Sequence, residues 1–244
     1  MQYKIVFKYI VTRYNILAFA MSNAYDIILL ILNCKKYREK AIVQKNTWLK
    51  TIPSNIKYYH VIGDKEICNG QDIYVDDNES VIYTNTLDDY NSLPSKVITA
   101  LAGIHSQFDF KYVFKTDDDQ DLTLNDFFIQ LQKQLMNSQY NYGGYIINWS
   151  GGASEYFNTH DCLPRHLYLK PTIYATGRFY LLSRTAVEDL ITKREDIEKQ
   201  FIEDHAIGLF LDARLKKCWL QILTSTVFAD HNPAFKDPSN NPLF

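Results

Sequence analysis

The segment FKYVFKTDDD, residues 110–119, joins an apolar run of strand length to three consecutive carboxylates. With Asp121, the chain places four carboxylates within the five positions 117–121. Like charges this close repel one another and hold hydration water tightly, so stability alone does not favour them. The segment therefore predicts a buried strand that carries an acidic cluster at its carboxyl end, where a cation or a ligand carrying one would bind.

Apolar runs of strand length alternate with helical segments, most regularly before residue 140. The predicted strands are 26–34, 56–63, 80–85, 110–116 and 179–184, and the predicted helices are 36–52, 92–108, 124–137, 184–195 and 202–215. This alternation predicts a mainly parallel sheet with helices on both faces. Ligands of such sheets bind outside the carboxyl ends of the strands, which is where the acidic cluster falls. Ser92 is placed to cap the helix 92–108.

Composition excludes some classes of protein. The 244 residues suffice for one large domain or two small ones, and 46% of them are apolar, so a sizeable core can form. A net charge of −2 argues against a general nucleic-acid binder. The cysteines lack metal-site spacing, so a zinc site is not expected, and isolated thiols are favoured over two disulfides. They are Cys34, Cys68, Cys162 and Cys218.

The N-terminal stretch 14–32 is apolar and nearly long enough to cross a bilayer. It contains Ser22, Asn23 and Asp26, however, and its apolar centre is short for a signal peptide. Its last part, IILLIL, is typical of a buried first strand. We therefore expect no membrane anchor and interpret residues 1–25 as an extension of the domain.

Four interpretations of the acidic cluster compete. A calcium loop of the EF-hand type would need Gly and Glu where the chain has Leu122 and Phe128, so it is excluded. A haloacid-dehalogenase-like phosphatase would use Asp119, Asp121 and Thr123, but its nucleophile would then lie too far from the strand end. A D-x-D site for a divalent metal bound to a nucleotide diphosphate suits these carboxylates. A solvated acidic turn is the remaining alternative.

Further segments favour the metal–nucleotide site. They are DDYNSLPSK (88–96), YVFKTDDD (112–119), YATGRFYLLS (174–183) and EDHAIG (203–208), with YREKAIVQKNTW (37–48) before them and VFADHN (227–232) after them. In order and spacing these segments resemble the beta-1,3-galactosyltransferase and Fringe-like family of glycosyltransferases. The resemblance covers roughly residues 26–232. It implies a Rossmann-like α/β fold of the glycosyltransferase A type, formed by a single domain over 1–244 with a nucleotide-sugar-binding half (26–140) and an acceptor-binding half (141–244).

Some positions depart from the family's pattern. Ser92, Arg178 and His205 replace residues that are usual there, and residues 141–170 match poorly. Acceptor contacts usually lie in such regions, so the acceptor stays open. Within 141–170, Trp149 and Tyr156 could stack on a sugar or pack under their own loop, whereas Trp48 is interpreted as a core residue.

The resemblance also implies a reaction and the residues that perform it. A UDP-sugar would donate a hexose to a hydroxyl of a glycan or glycoprotein, with inversion to a beta linkage. Asp204 would be the catalytic base, with Glu203 as its close competitor, while Asp117, Asp119 and His231 would hold Mn²⁺ or Mg²⁺. The residues implied to contact the nucleotide, its sugar or the acidic cluster are Asn33, Arg38, Asp64, Lys96, Asp117, Asp118 and Gly177. Asp64 is equally well explained as a turn residue, and Lys96 and Arg38 as surface charges. Asp204 could instead cap its helix.

A different class stays open, namely a glycan-binding or scaffolding relative of the same fold that lacks catalysis. The complete Asp triplet and Asp204 argue against it, since a binder has no use for a base. The expected compartment is the cytoplasm or an equivalent soluble one, with the Golgi lumen through an N-terminal anchor as the alternative. The sugar is not identified, because discrimination between epimers depends on a few hydrogen bonds in the pocket.

Overall fold

The computed structural model describes residues 24–230, with side chains from Asp26 onward. The strands are β1 (Ala24–Leu32), β2 (Ile56–Gly63), β3 (Ile73–Asp76), β4 (Val81–Thr84), β5 (Asp109–Asp117), β6 (Gln120–Leu122), β7 (Tyr142–Trp149), β8 (Gly152–Ala153), β9 (Tyr168–Leu169), β10 (Thr172–Ser183), β11 (Trp219–Gln221) and β12 (Phe228–Asp230). The α-helices are α1 (Arg38–Asn46), α2 (Lys65–Cys68), α3 (Leu93–Gln107), α4 (Phe127–Asn137), α5 (Arg184–Ile191), α6 (Arg194–Ile197), α7 (Glu203–Phe210) and α8 (Thr224–Val227).

Eight of the described strands form one mixed sheet in the order β11–β7–β10–β5–β1–β2–β4–β3. β1 is parallel to β2 and β5, β2 is parallel to β4, and β7 is parallel to β11. β10 and the edge strand β3 are antiparallel to their neighbours. The mainly parallel sheet with flanking helices confirms the predicted α/β fold, which is consistent with the glycosyltransferase A type.

The central strand β1 is continuously apolar from Ile27 to Leu32 because helices cover both faces of the sheet there. Ile28, Leu30 and Leu32 pack in the core beneath α3, α5 and α7. Ile27, Leu29 and Ile31, which alternate with them, pack against Trp48 and α4. All six β1 residues are at most 5% exposed. Successive strand residues point to opposite faces, so a strand buried on both faces has no polar alternation. The predicted core position of Trp48 is confirmed.

The predicted helix 36–52 is wrong in its length. α1 ends at Asn46, and Trp48–Thr51 form a separate 3₁₀ turn. Thr47 between them leaves the helical region, with φ −111° and ψ −112°. Its hydroxyl donates to the carbonyl of Val43 at 2.8 Å, which favours a helix end at this position.

The predicted helix 202–215 is also shorter than expected, since α7 ends at Phe210. The Lys216 ammonium donates to the carbonyl of Gly208 at 2.6 Å and satisfies one of the free carbonyls that a helix end leaves. Ser92 occupies the predicted N-cap position of α3 but does not cap the helix through its side chain. Its backbone N–H instead donates to Asp89 at 2.8 Å.

Two strands differ from the sequence prediction in a way that shapes the site. β3 was not predicted, and β10 begins at Thr172 instead of residue 179. β10 also shifts its register against β7 between Ala175 and Tyr180. Such irregularities re-aim the residues within them. Here the shift turns Gly177 toward the carboxyl end of β5, where Tyr180 pairs with Lys115 and Phe179 pairs with Thr116.

No helix within residues 24–230 is long and apolar enough to cross a membrane. β1 contains the apolar run that ends the stretch 14–32, and residues 1–23 lie outside the described range. All four cysteines lie within that range and are unpaired, with Cys68 buried and Cys162 and Cys218 exposed.

Candidate active site

The acidic triplet lies at the carboxyl edge of the sheet, and its three carboxylates have different partners. Asp117 accepts from the Lys115 ammonium at 2.8 Å. Asp118 lies 3.1 Å from the Lys40 ammonium, and Asp119 accepts from the side-chain amide of Gln120 at 2.8 Å. The side chains of the triplet are only partly exposed. The triplet is therefore a set of held carboxylates and not a freely solvated turn.

Asp118 is joined to β1 and α1. The side-chain amide of Asn33 donates to Asp118 at 2.8 Å and to the carbonyl of Tyr37 at 3.0 Å. Burial raises the pKa of Asp118 to about 6, although Lys40 acts in the opposite direction. The Asn33 Oδ1 atom is buried without a hydrogen-bond partner among the described residues. The structure thus brings together Asn33 and Asp118, whereas Arg38, predicted to serve the same cluster, is exposed at the start of α1.

Lys96 lies beneath the site. It is 1% exposed, and its ammonium donates to Asp88 at 2.6 Å and to the carbonyl of Asn33 at 3.1 Å. The same Asp88 carboxylate accepts from the backbone N–H groups of Gly63 and Lys35. Lys96 therefore ties α3 to the ends of β1 and β2, and its contacts are with the protein.

Asp64 follows β2 at the same edge and caps α2. Its Oδ1 atom accepts from the N–H groups of Glu66 and Ile67, both at 3.1 Å. Its Oδ2 atom lies 2.7 Å from the Lys35 ammonium, and this hydrogen bond is the main reason that the pKa of Asp64 is lowered. The turn interpretation of Asp64 accounts for these contacts, and its place at a strand end is also where a nucleoside would lie.

A short two-stranded sheet brings the C-terminal segment to the triplet. β12 pairs antiparallel with β6, which sets Asp230 opposite Gln120. The Gln120 amide donates to Asp119 at 2.8 Å and to Asp230 at 2.9 Å. His231, the predicted metal ligand, follows Asp230 in sequence and lies outside the described residues.

The carboxylates of the described residues suit a metal site that substrate phosphates and water complete. Within residues 24–230, no three His, Cys, Asp or Glu side chains form a group that could hold a metal ion by themselves. Mg²⁺ and Mn²⁺ commonly take one or two protein carboxylates and complete their shell with substrate phosphates and water. Within the described residues, Asp117 and Asp119 could supply two such carboxylates.

A second carboxylate faces the site from the start of α7. The Asp204 Oδ2 atom accepts from the backbone N–H of Gly177 at 2.7 Å. A side chain at position 177 would occupy this space, because a Cβ built there would lie 3.4 Å from Asp204 Oδ2 and 3.5 Å from Lys115 Nζ. Burial, followed by the charge of Glu203, raises the pKa of Asp204 to about 6. Gly177 and Asp204, both predicted site residues, are thus in direct contact.

Glu203 points away from Asp204 and into the protein. It is 7% exposed, accepts from the Tyr180 hydroxyl, and lies 3.1 Å from the Lys115 ammonium. Neighbouring residues on a helix point in directions about 100° apart, so only one of the two carboxylates can face the candidate site. In the described contacts Glu203 is held inside the protein, whereas Asp204 contacts Gly177 and stays partly exposed.

Aromatic side chains surround Asp204 on the side of residues 150–171. Tyr90 stacks on His160, with ring centroids 3.9 Å apart. Burial raises the pKa values of Tyr90, Tyr156 and Tyr174, and the Asp204 charge contributes to each rise, so the three phenols are near its carboxylate. Tyr156 is 44% exposed. Trp149 instead packs in a small cluster and donates its ring N–H to the carbonyl of Leu169.

Several residues that hold the acidic turn were not among the predicted site residues. Lys40 pairs with Asp118, the Gln44 amide donates to the carbonyl of Gln120 at 3.0 Å, and the Trp48 ring N–H donates to the same carbonyl at 3.1 Å. Lys40 and Gln44, four positions apart, lie on one face of α1, and Trp48 follows in the 3₁₀ turn after it. The four-residue spacing was visible in the sequence and could have pointed to these residues. The groups that their side chains contact depend on the tertiary structure.

The fold and the sequence together identify the family of the chain. A mainly parallel sheet presents held carboxylates at the end of a central strand, and a further carboxylate faces them from the start of a helix, as in glycosyltransferases of the A type. The profile of the galactosyltransferase family matches residues 38–217, and the chain belongs to that family.

Two curated proteins show similarity to the chain. They are the UDP-GalNAc:beta-1,3-N-acetylgalactosaminyltransferase 2 proteins of Xenopus laevis and Xenopus tropicalis. Each is 22% identical to the chain over 138 residues. The match covers 55% of this chain and 27% of each relative, so it spans about a quarter of the length of these relatives.

Proposed function

We propose that the protein is an inverting, metal-dependent hexosyltransferase. It moves galactose, glucose or an N-acetylhexosamine from a UDP-sugar to a hydroxyl of a glycan or glycoprotein. The observation that carries the proposal is the placement of Asp117 and Asp204 on two sides of Gly177 and Lys115, with both carboxylates partly open to solvent. The family and the UDP-GalNAc donor in the relatives' names support the donor class.

Asp117, Asp119 and His231 are the residues that would hold Mn²⁺ or Mg²⁺ with the donor diphosphate. When bound, such a metal neutralises the charge that develops on the leaving diphosphate. Asn33, Asp64 and Asp118 lie at the ends of neighbouring strands and are placed to orient the nucleoside. The unpartnered Asn33 Oδ1 atom supports this assignment, because a buried acceptor without a donor is unfavourable and a ligand could supply one.

Asp204 is the proposed base. A hydroxyl is a poor nucleophile at neutral pH, and a carboxylate within hydrogen-bond reach removes its proton as the new bond forms, typically contributing about 10²- to 10⁴-fold. The Gly177 N–H holds the Asp204 carboxylate in place, and a carboxylate that accepts one or two N–H groups still has lone pairs for a substrate. Attack opposite the leaving diphosphate gives a beta-linked product from an alpha-linked donor.

The acceptor is proposed to bind beside the tyrosines that surround Asp204. Sugars stack their apolar faces on aromatic rings and bond their hydroxyls to phenols, and Tyr156 offers an exposed ring for this purpose. The Asp204 charge also contributes to the raised pKa values of Tyr90 and Tyr174, which agrees with an acceptor site near this carboxylate. The proposed acceptor is therefore a sugar hydroxyl.

A panel of UDP-sugars with Mn²⁺ tests the proposal. The true donor should raise the melting temperature, because a ligand that binds only the native state stabilises it. It should also be transferred to a glycan acceptor, and NMR should show a beta linkage. A non-catalytic binder would show the thermal shift without slow hydrolysis of the donor, whereas an alpha-linked product would contradict the single-displacement mechanism.

A further inference from the structure

Lys115 connects the two sides of the site, and its contacts use its whole hydrogen-bonding capacity. The ammonium lies 2.8 Å from Asp117, 2.8 Å from the carbonyl of Gly177 and 3.1 Å from Glu203. An ammonium has three donors, so all three are engaged. The side chain is 3% exposed. Lys115 therefore cannot bind a ligand directly and acts through the groups that it holds.

Gly177 is held from two sides. Lys115 donates to its carbonyl, and Asp204 accepts from its N–H at 2.7 Å. Gly177 lies where β10 loses its register with β7, so regular ladder bonds do not fix this segment. Thr116, next to Lys115, donates to the neighbouring carbonyl of Arg178 at 2.7 Å. The end of β5 thus sets the position of the irregular segment that holds Asp204.

Glu203 is fixed by the same ammonium. Lys115 and the Tyr180 hydroxyl both contact its carboxylate, and the ammonium also lies over the Tyr180 ring at 5.6 Å from its centroid. Glu203 directly precedes Asp204 on α7. When the Glu203 side chain points into the protein, the Asp204 side chain therefore points toward the candidate site.

We propose that Lys115 is the positioning residue that aligns the base Asp204 with the donor-binding carboxylate Asp117, through Gly177 on one side and Glu203 on the other. The inference rests on the proposed function of Asp204 and Asp117. Its consequence is a loss in kcat on removal of Lys115, since a displacement of about 1 Å from the reacting geometry can lower a rate about 10²-fold.

The test separates positioning from stability. Lys115→Met should lower the melting temperature, because it leaves the buried Glu203 and the partly exposed Asp117 without their cation. The double variant Lys115→Met/Glu203→Gln removes one of those charges and should recover part of the melting temperature. Glu203→Gln alone is the matched control. The double variant should show a kcat about 100-fold below that control, with the donor KM within about tenfold.

A second measurement does not depend on turnover. The chain has nine glycines, so labelling glycine with ¹⁵N gives few amide signals to follow. In the double variant the Gly177 amide should exchange with solvent at least about tenfold faster than in Glu203→Gln, while Gly103 within α3 stays protected. Native-like kcat or native-like protection of Gly177 in the double variant would overturn the role of Lys115. A native protein that transfers no sugar contradicts the proposed function, and the exchange measurement still decides the inference.

Discussion

The Lys40 ammonium lies 3.1 Å from a carboxylate oxygen of Asp118, although the two residues are 78 positions apart. Only 8% of the Lys40 side chain and 11% of the Asp118 side chain are exposed, so the pair is shielded from water. The contact fastens α1 to the middle of the acidic triplet. It links the helix that resembles a family motif to the carboxylates that the same resemblance places at the donor.

Removing this cation should destabilise the protein. Lys40→Met leaves the buried Asp118 carboxylate without its cation, with only the Asn33 amide still donating to it, and the loss of such a cation typically costs about 3 kcal/mol. For a chain of this size such a loss lowers the melting temperature by roughly 6 to 12 °C, measured by calorimetry. Lys40→Met/Asp118→Asn should recover part of that loss. Lys45→Met, which removes a more exposed pair with Glu79, serves as the control and should shift the melting temperature by less than about 2 °C. Equal shifts in Lys40→Met and the control would contradict the buried pair.

Nucleotide binding should depend on a divalent metal. UDP should bind much more tightly with Mn²⁺ than with a chelator, because a metal bridges diphosphate oxygens to carboxylates. Asp119→Ala should remove that difference, as measured by calorimetric titration. Asp126→Ala, which alters an exposed carboxylate at the start of α4, is the matched control and should keep it. UDP affinity that is indifferent to metal in the native protein would refute the assignment.

Asp204→Asn should abolish transfer while UDP binding and the melting temperature stay near normal. The amide can still accept from Gly177 but can no longer take a proton from the acceptor, so about 10²- to 10⁴-fold in kcat is lost. Glu203→Gln should retain more activity, since Glu203 is committed to Tyr180 and Lys115. If Asp204→Asn stays active while Glu203→Gln is inactive, the catalytic base is Glu203 and not Asp204.

The rate should depend on the protonation of Asp204. Burial and the Glu203 charge raise its pKa to about 6 in the folded protein. A general base acts only when deprotonated, so kcat/KM for the acceptor should rise with pH through about 6 and level off above it. The measurement uses saturating donor and Mn²⁺, so that the triplet stays ionised. A rate that is independent of pH between about 5 and 7 would count against Asp204 as the base.

The compartment can be read from covalent modification. Asn78 and Asn148 each begin an N-glycosylation sequence. Both residues are exposed, so burial would not prevent their glycosylation. In a cytoplasmic or equivalent compartment both should be unmodified and all four cysteines should carry free thiols. Intact-mass spectrometry of native material, with and without thiol alkylation, checks both expectations. N-glycans or two disulfides would favour the Golgi lumen.

The sequence by itself determined the class of fold and the family. The apolar run of β1 has no polar alternation because both faces of the sheet are covered, and that local pattern is visible in the chain. The placement of the Asp triplet after a strand likewise predicted its position at the carboxyl edge of the sheet. Both inferences depend on short-range periodicity, which a single sequence contains.

The tertiary structure alone decided which groups meet. The directions of the Glu203 and Asp204 side chains on α7 depend on Lys115 of β5 and Gly177 of β10. The cation that pairs with Asp118 comes from α1. The register shift that presents Gly177 arises from pairing between β10 and β7 and has no local signature in the sequence. Contacts between distant segments are selected by the packing of the whole domain, and for that reason the spacing of residues along the chain could name the carboxylates but not assign their partners.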